Sequence, residues 1–254
     1  MLRLTFRPDT PRVDARVEIH LEGERIGQLS EDPRDAVSAF VHEHKLRFKL
    51  FPAAGPAAVG VRDLPFAVAE TVQRYLDGNL WTAVADEGSG LAFFNRGEMG
   101  SVREVDGGFS LPLAFAMNYI WGTRMLRGDF AYEFAVLPFT GGWQQADLPR
   151  EALAYGFPLA TVTGAPAAGP LGPEVSFLDV GGRGVLLSAL YSERGHVLAR
   201  VFESQGREAA ATLSLLRGGA RLREVDLRGR DLGPVDGTLS LRAWQLRTVR
   251  IDPE

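Results

Sequence analysis

Asn95 and Arg96 stand at the polar end of an apolar run, Leu91-Ala92-Phe93-Phe94, and precede Gly97. A guanidinium presents five N–H donors in a planar fork, which suits two sugar hydroxyls or one carboxylate at once. Asn95 beside it can shape the loop that carries the fork. The alternative is a strand-end arginine paired with Glu98 or Glu104. Other constellations offer less. Asp86-Glu87 falls in a turn, where neighbouring acids point into solvent, whereas retaining glycosidases need two carboxyl groups about 5–5.5 Å apart. His42-Glu43-His44 would set two imidazoles on one strand face, a geometry open to zinc or copper, but sequence offers no third ligand nearby. A polar strand face explains the same triplet. His20 and His196 are lone residues on polar faces. Trp81, Phe93 and Phe94 read as core because large aromatics dominate buried area. Trp121 and Trp143 are the better stacking platforms. There is no Gly-x-Ser-x-Gly nucleophile elbow and no strand–GxGxxG–helix context for a dinucleotide.

The elements that must position Asn95 and Arg96 are strands. Residues 81–97 form a hairpin in outline: an apolar strand, an acidic Gly-Ser-Gly turn, a second apolar strand and a polar tip. Residues 12–21 alternate, with Val13, Ala15, Val17, Ile19 and Leu21 on one face and charged residues on the other, as a half-buried strand does. Residues 44–51 alternate again. Residues 101–105 and 109–115 flank Asp106-Gly107-Gly108, a strong turn signal. Residues 129–137 alternate and are expected to stop at Pro138. Helix signals are few: Ser30 opens residues 30–41, and residues 141–153 look like a turn into a short helix. A Pro/Gly-rich stretch at 164–173 reads as a linker. Beyond it, residues 175–178, 184–190, 196–203, 209–216, 221–226 and 239–250 are short strands at a spacing of roughly 8–12 residues, as in a small antiparallel sandwich.

The totals agree with a β protein. The chain has 254 residues, with 29 glycines and 15 prolines breaking it into short apolar runs. A chain of this length can bury roughly 70–75% of its unfolded surface, so it needs no disulfide or metal to fold. It has no cysteine, which excludes a disulfide framework, thiolate-bound zinc and thiol catalysis and fits a cytoplasmic location. A net charge of −4 with interspersed signs gives no basic face for nucleic acid. Residues 1–16 show no secretory h-region, and no apolar run is long enough to span a membrane.

These pieces, in their order, resemble the C-terminal β region of glycoside hydrolase family 38, the α-mannosidases. The residues that carry the resemblance begin with Pro11-Arg12-Val13-Asp14, His44-Lys45-Leu46-Arg47-Phe48 and Leu64-Pro65-Phe66 followed by Glu70. Trp81 then precedes Gly90-Leu91-Ala92-Phe93-Phe94-Asn95-Arg96-Gly97. Gly141-Gly142-Trp143 leads to Ala146-Asp147, and Phe157-Pro158-Leu159 closes the region. Residues 176–178, 185–190 and 244–248 look like the start and end of the family's terminal β domain. Thr140 stands where many relatives have His, and residues 26–41 look like an insertion.

The resemblance implies an all-β architecture: a large mutarotase-like β-sandwich (supersandwich) over residues 1–163, the linker, and a small immunoglobulin-like sandwich over 174–254. In the family these follow a β/α barrel that holds a catalytic zinc and an aspartate nucleophile. The family's His-x-Asp zinc pair is absent from this sequence. The resemblance therefore implies no catalytic residue and no metal site in this chain, with zinc in a separate barrel as partner. It makes Arg96 a contact to an α-mannoside bound there, with Asn95 beside it. A free-standing carbohydrate-binding module is the alternative, and an autonomous glycosidase or epimerase is the third possibility.

Overall fold

Antiparallel strands make up most of the described chain. The structure is a computed structural model that describes residues 1–24, 26, 45–55, 57–98, 100–114, 125–164, 169, 172–215 and 221–252. Contacts divide it into two units, Met1–Leu64 with Ala69–Phe157, and Pro65–Val68 with Pro158–Glu254. The expected helix at 30–41, the His42-Glu43-His44 triplet and Trp121 lie outside the described residues.

Two antiparallel sheets build the first unit, although Ala67 and Val68 at the start of β5 count with the second. The seven-stranded sheet contains β1 (Leu2–Arg7), β2 (Thr10–Glu24), β4 (Val59–Leu64), β5 (Ala67–Thr71), β7 (Trp81–Ala85), β8 (Ser89–Asn95) and β11 (Leu126–Thr140). Its spatial order is β1-β2-β11-β8-β7-β4-β5. The four-stranded sheet runs β3-β10-β9-β6, from β3 (Leu46–Leu50), β6 (Tyr75–Asp77), β9 (Gly100–Arg103) and β10 (Phe109–Ala114). The predicted hairpin pairs Trp81 with Phe94 and Ala85 with Gly90.

One face of β8 places Leu91 and Phe93 in a core with Phe134, Val136, Val84 and Phe109. The Phe93 ring lies 4.7 Å from Phe109 and 6.2 Å from Phe134, centroid to centroid. The two sheets therefore pack face to face as a sandwich. The other face of β7 and β8 carries Trp81, Ala83, Ala92 and Phe94, and it is also buried. A third layer covers it: residues 141–147 and the helix α1 (Leu148–Gly156). Leu148, Ala152 and Tyr155, spaced four and three apart, form the buried side of α1. Burial on both faces explains why residues 91–94 are continuously apolar instead of alternating.

The second unit is another β-sandwich. A three-stranded sheet, β12 (Leu178–Gly181), β15 (Ala209–Leu215) and β18 (Thr238–Leu241), is ordered β12-β15-β18. The five-stranded sheet is ordered β13-β14-β19-β16-β17, from β13 (Val185–Glu193), β14 (His196–Glu203), β16 (Arg221–Val225), β17 (Asp231–Pro234) and β19 (Leu246–Asp252). Val185, Val201, Ala211, Leu213, Leu239, Leu241 and Val249 from the two sheets share one core.

The strands depart from the sequence expectation in several places, among them β12, which covers Leu178–Gly181 and not 175–178. β11 does not stop at Pro138 but continues to Thr140. Beyond Val136 it has lost β2 as a neighbour and keeps β8, so a proline without an N–H costs no ladder bond on the open side. Residues 239–250 are two strands and not one, because the chain turns at 242–245 with Trp244 at φ 60. β1, β4 and β17 lie outside the expected strands. β1 forms a hairpin with β2 that pairs Leu4 with Ala15.

Candidate functional site

β8 ends between two layers, and this decides where its two polar residues go. Asn95 sits opposite Phe134 and is buried, with 3% of its surface exposed. Its Oδ1 accepts the Gly97 N–H at 3.1 Å, closing a side-chain turn at the end of β8. A polar tip open to water is therefore the wrong description of Asn95. Gly97 follows at φ 143, in the region that glycine alone enters freely.

Arg96 points into the outer layer. Its guanidinium carbon lies 4.3 Å from the centroid of the Tyr155 ring. Nε and Nη2 donate to the Tyr155 carbonyl at 3.3 and 2.9 Å, and Nη1 donates to Glu133 Oε2 at 3.0 Å. That carbonyl belongs to the last turn of α1, which has no basic residue of its own. Arg96 thus supplies, from a strand end, the positive charge that a helix C-terminus favours. Its ion-pair partner is Glu133 of β11, not Glu98 or Glu104. Glu133 also bonds Arg16 across the β2–β11 ladder. With three of five N–H groups engaged and 36% of the side chain exposed, the fork keeps two N–H groups for another acceptor.

Arg12 completes the cluster. It is 8% exposed, lies 5.3 Å from the Tyr155 ring centroid and donates from Nε to Asp14 at 2.8 Å. Burial, above all, pushes the Tyr155 phenol above its ordinary value, so it stays neutral. The arrangement can hold a polyhydroxylated or anionic group against Arg96.

The remaining sequence candidates are placed as follows. Trp81, Phe93 and Phe94 are core residues, each at most 1% exposed. Trp143 is not an open stacking platform: it is 5% exposed, lies 6.2 Å from Trp81 and donates from Nε1 to Glu70 at 3.0 Å. Exposed His20 bonds Asp129 and Glu22, and exposed His196 bonds Asp252. Among the described residues no group of three His, Cys, Asp or Glu side chains could hold a metal ion. Tyr155 and Glu133 escaped the sequence reading. The only signals were the short helix after Trp143 and the alternation of 129–137.

Asp86 holds its turn. Its carboxylate accepts the N–H groups of Gly55, Gly88 and Ser89 at 2.5, 2.8 and 2.8 Å, and these bonds, that from Gly55 most, keep its carboxyl below the usual range. A carboxyl depressed on folding adds stability above its unfolded pKa and loses it as pH falls through the folded value. Asp86→Asn is therefore expected to flatten the loss of melting temperature between about pH 5 and 2. An acid limb identical to that of the unaltered chain would contradict this role.

Neither a protein-family model nor a curated protein matches the chain. Solved structures do. A protein in glycosyl hydrolase family 38 from Enterococcus faecalis superposes with a TM-score of 0.75 at 16% identity, covering 99% of this chain and 29% of that one. An α-mannosidase from Enterococcus faecalis V583 gives 0.73 at 15% identity, covering 99% and 28%. At such identity the likeness establishes a shared fold. The chain spans less than a third of the length of these proteins.

Proposed function

We propose that this chain is the non-catalytic C-terminal β region of a family 38-type α-mannosidase, packing on a catalytic barrel and helping to shape its mannoside site. One observation carries this reading: the fold matches over 99% of this chain but only 29% of the similar protein. The remainder of such an enzyme is then a partner domain or chain that brings the zinc and the nucleophile. No helix among the described residues is long and apolar enough to cross a membrane, and we assign the assembly to the cytoplasm. Within it, Arg96 contacts the sugar through its two open N–H groups, and Asn95 fixes the loop.

The test is turnover of an aryl α-mannoside with added zinc, by the chain alone and with a family 38 catalytic barrel. The chain alone is expected to be inactive, and activity appears or rises when both are present. Turnover by the chain alone, abolished by a single carboxylate substitution, would overturn the proposal. Sugar binding by the isolated chain without any effect of the barrel would instead favour a carbohydrate-binding module.

A further inference from the structure

A pocket of ≈ 350 Å³ lies in the first unit and shares no lining residue with the Arg96 cluster. It sits at the end of the ladder that pairs β6 with β9. There the Arg103 N–H donates to the Arg74 carbonyl at 2.8 Å, and Arg74 Nε donates to the Arg103 carbonyl at 3.3 Å. Both arginines line the pocket, with Glu104 and the largely exposed Val72 and Val105. Its volume is at the low end for ligand sites, so it suits a compact molecule.

The guanidinium of Arg103 is held in place without being neutralised. Its Nη2 donates to the Ala58 carbonyl at 2.7 Å and its Nη1 to the Val72 carbonyl at 3.2 Å. Two of five N–H groups are used in this way, both on uncharged acceptors. The buried Glu104 is engaged elsewhere: its Oε1 accepts from Arg47 and from Ser110, each at 2.5 Å. Its Oε2 stands 3.8 Å from Arg74. Asp106 bonds Lys49, and Asp86 does not line the pocket. An anion entering here therefore meets a positive charge that no carboxylate of the described residues answers. An ammonium would be repelled by it, and a neutral molecule would leave it unanswered.

We propose that this pocket binds a compact organic oxyanion, a carboxylate or a phosphate ester. Its charged group lies on Arg103, and its apolar body lies against Val72 and Val105. A guanidinium takes either group through two parallel N–H bonds, which are stronger than bonds between neutral partners. The two carbonyls fix the Arg103 fork beforehand, so little side-chain freedom is left to lose on binding. Glu104 is a positioning residue: it holds Arg47 and the turn that carries Gly107 and Gly108 into the pocket wall.

Phenyl phosphate and benzoate are the probes, with benzyl alcohol as the uncharged control. Each is titrated at constant ionic strength into the isotope-labelled chain and followed by amide NMR shifts. At least one anion is expected to shift the Arg103, Gly107 and Gly108 amides saturably, with a Kd at or below about 1 mM. A response to phenyl phosphate alone assigns a phosphate ester, and a response to benzoate alone assigns a carboxylate. Arg103→Lys keeps the charge but loses the fork, so it should weaken binding by about tenfold or more. Arg103 also ties down Ala58 and Val72, so a second variant leaves it intact. Val105→Asp places a negative charge on an exposed wall residue and should weaken the anion by a similar factor. Arg150→Gln removes a charge from α1 and should leave the Kd unchanged. No saturable shift from either anion, or equal binding of benzyl alcohol, would overturn the proposal. So would an unaltered Kd in Val105→Asp, or equal weakening by Arg150→Gln. None of these outcomes depends on a glycosidase partner.

Discussion

Glu203→Ala is expected to unfold the second sandwich. Glu203 has no exposed surface. Its Oε1 accepts the Gln205 N–H at 2.7 Å, and its Oε2 accepts those of Gly206, Arg207 and Trp244 at 2.9, 3.2 and 3.0 Å. One carboxylate thus joins the turn after β14 to the turn before β19. Both turns use left-handed backbone, Gly206 at φ 75 and Trp244 at φ 60, and the Trp244 ring packs on Gly206 so closely that a Cβ there would stand 2.6 Å from Cζ2. Alanine leaves all four donors without this acceptor, each at a cost of about 1–3 kcal/mol where water cannot replace it. That sum is comparable to the entire stability of a typical domain, about 5–15 kcal/mol. Glu203→Gln keeps one carbonyl acceptor but turns an NH2 toward N–H groups, so it should fall between. Amide exchange is the measurement. Gln205, Gly206, Arg207 and Trp244 should lose protection, while Ala83 and Phe93 in the first sandwich keep theirs. Retained protection at those four amides would refute the role.

This contrast shows what a sequence can disclose. The alternation of residues 12–21 and the turn at Asp106-Gly107-Gly108 were legible because face and turn are local properties, and β2, β9 and β10 form there. The hairpin at Trp81 was legible for the same reason. Glu203 was not, because its four donors come together only when β14 and β19 are adjacent. The break at Trp244 was hidden too, since Leu239 and Leu241 continue the alternation up to the residue where the backbone turns. Arg96 was singled out for its donors, but its neighbours in sequence do not reveal Tyr155, 59 residues away. Trp143 misled for a related reason. It stood out as a stacking platform, yet Glu70 takes its N–H and Trp81 lies beside its ring.

Tyr155→Ala is expected to have the second largest effect, about 3–5 kcal/mol, the usual cost of truncating a large core aromatic. Tyr155 is 3% exposed and packs on Phe94 at 6.4 Å, with Arg96 and Arg12 over its ring. Tyr155→Phe keeps that ring and should melt near the unaltered chain at neutral pH. At alkaline pH the two separate. Burial raises the phenol pKa in the fold, so the neutral form is favoured there, and its stability contribution is complete below the unfolded value of about 10. It is lost as pH rises above that value, because only the unfolded chain then ionises readily. Tyr155→Phe should therefore shrink the alkaline fall in melting temperature. The same pair of variants tests whether Arg96 does more than cap α1. If Arg96 contacts the mannoside, the alanine variant assembled with a catalytic barrel loses kcat/KM, because the guanidinium no longer has a ring to lie on, while the phenylalanine variant keeps it. Arg96→Lys should fail in the same assay although it keeps the charge, since an ammonium cannot hold the Tyr155 carbonyl through two N–H groups and still present a fork. Full activity in Tyr155→Ala and Arg96→Lys, each with a lowered melting temperature, would leave Arg96 as the cap of α1 and nothing more.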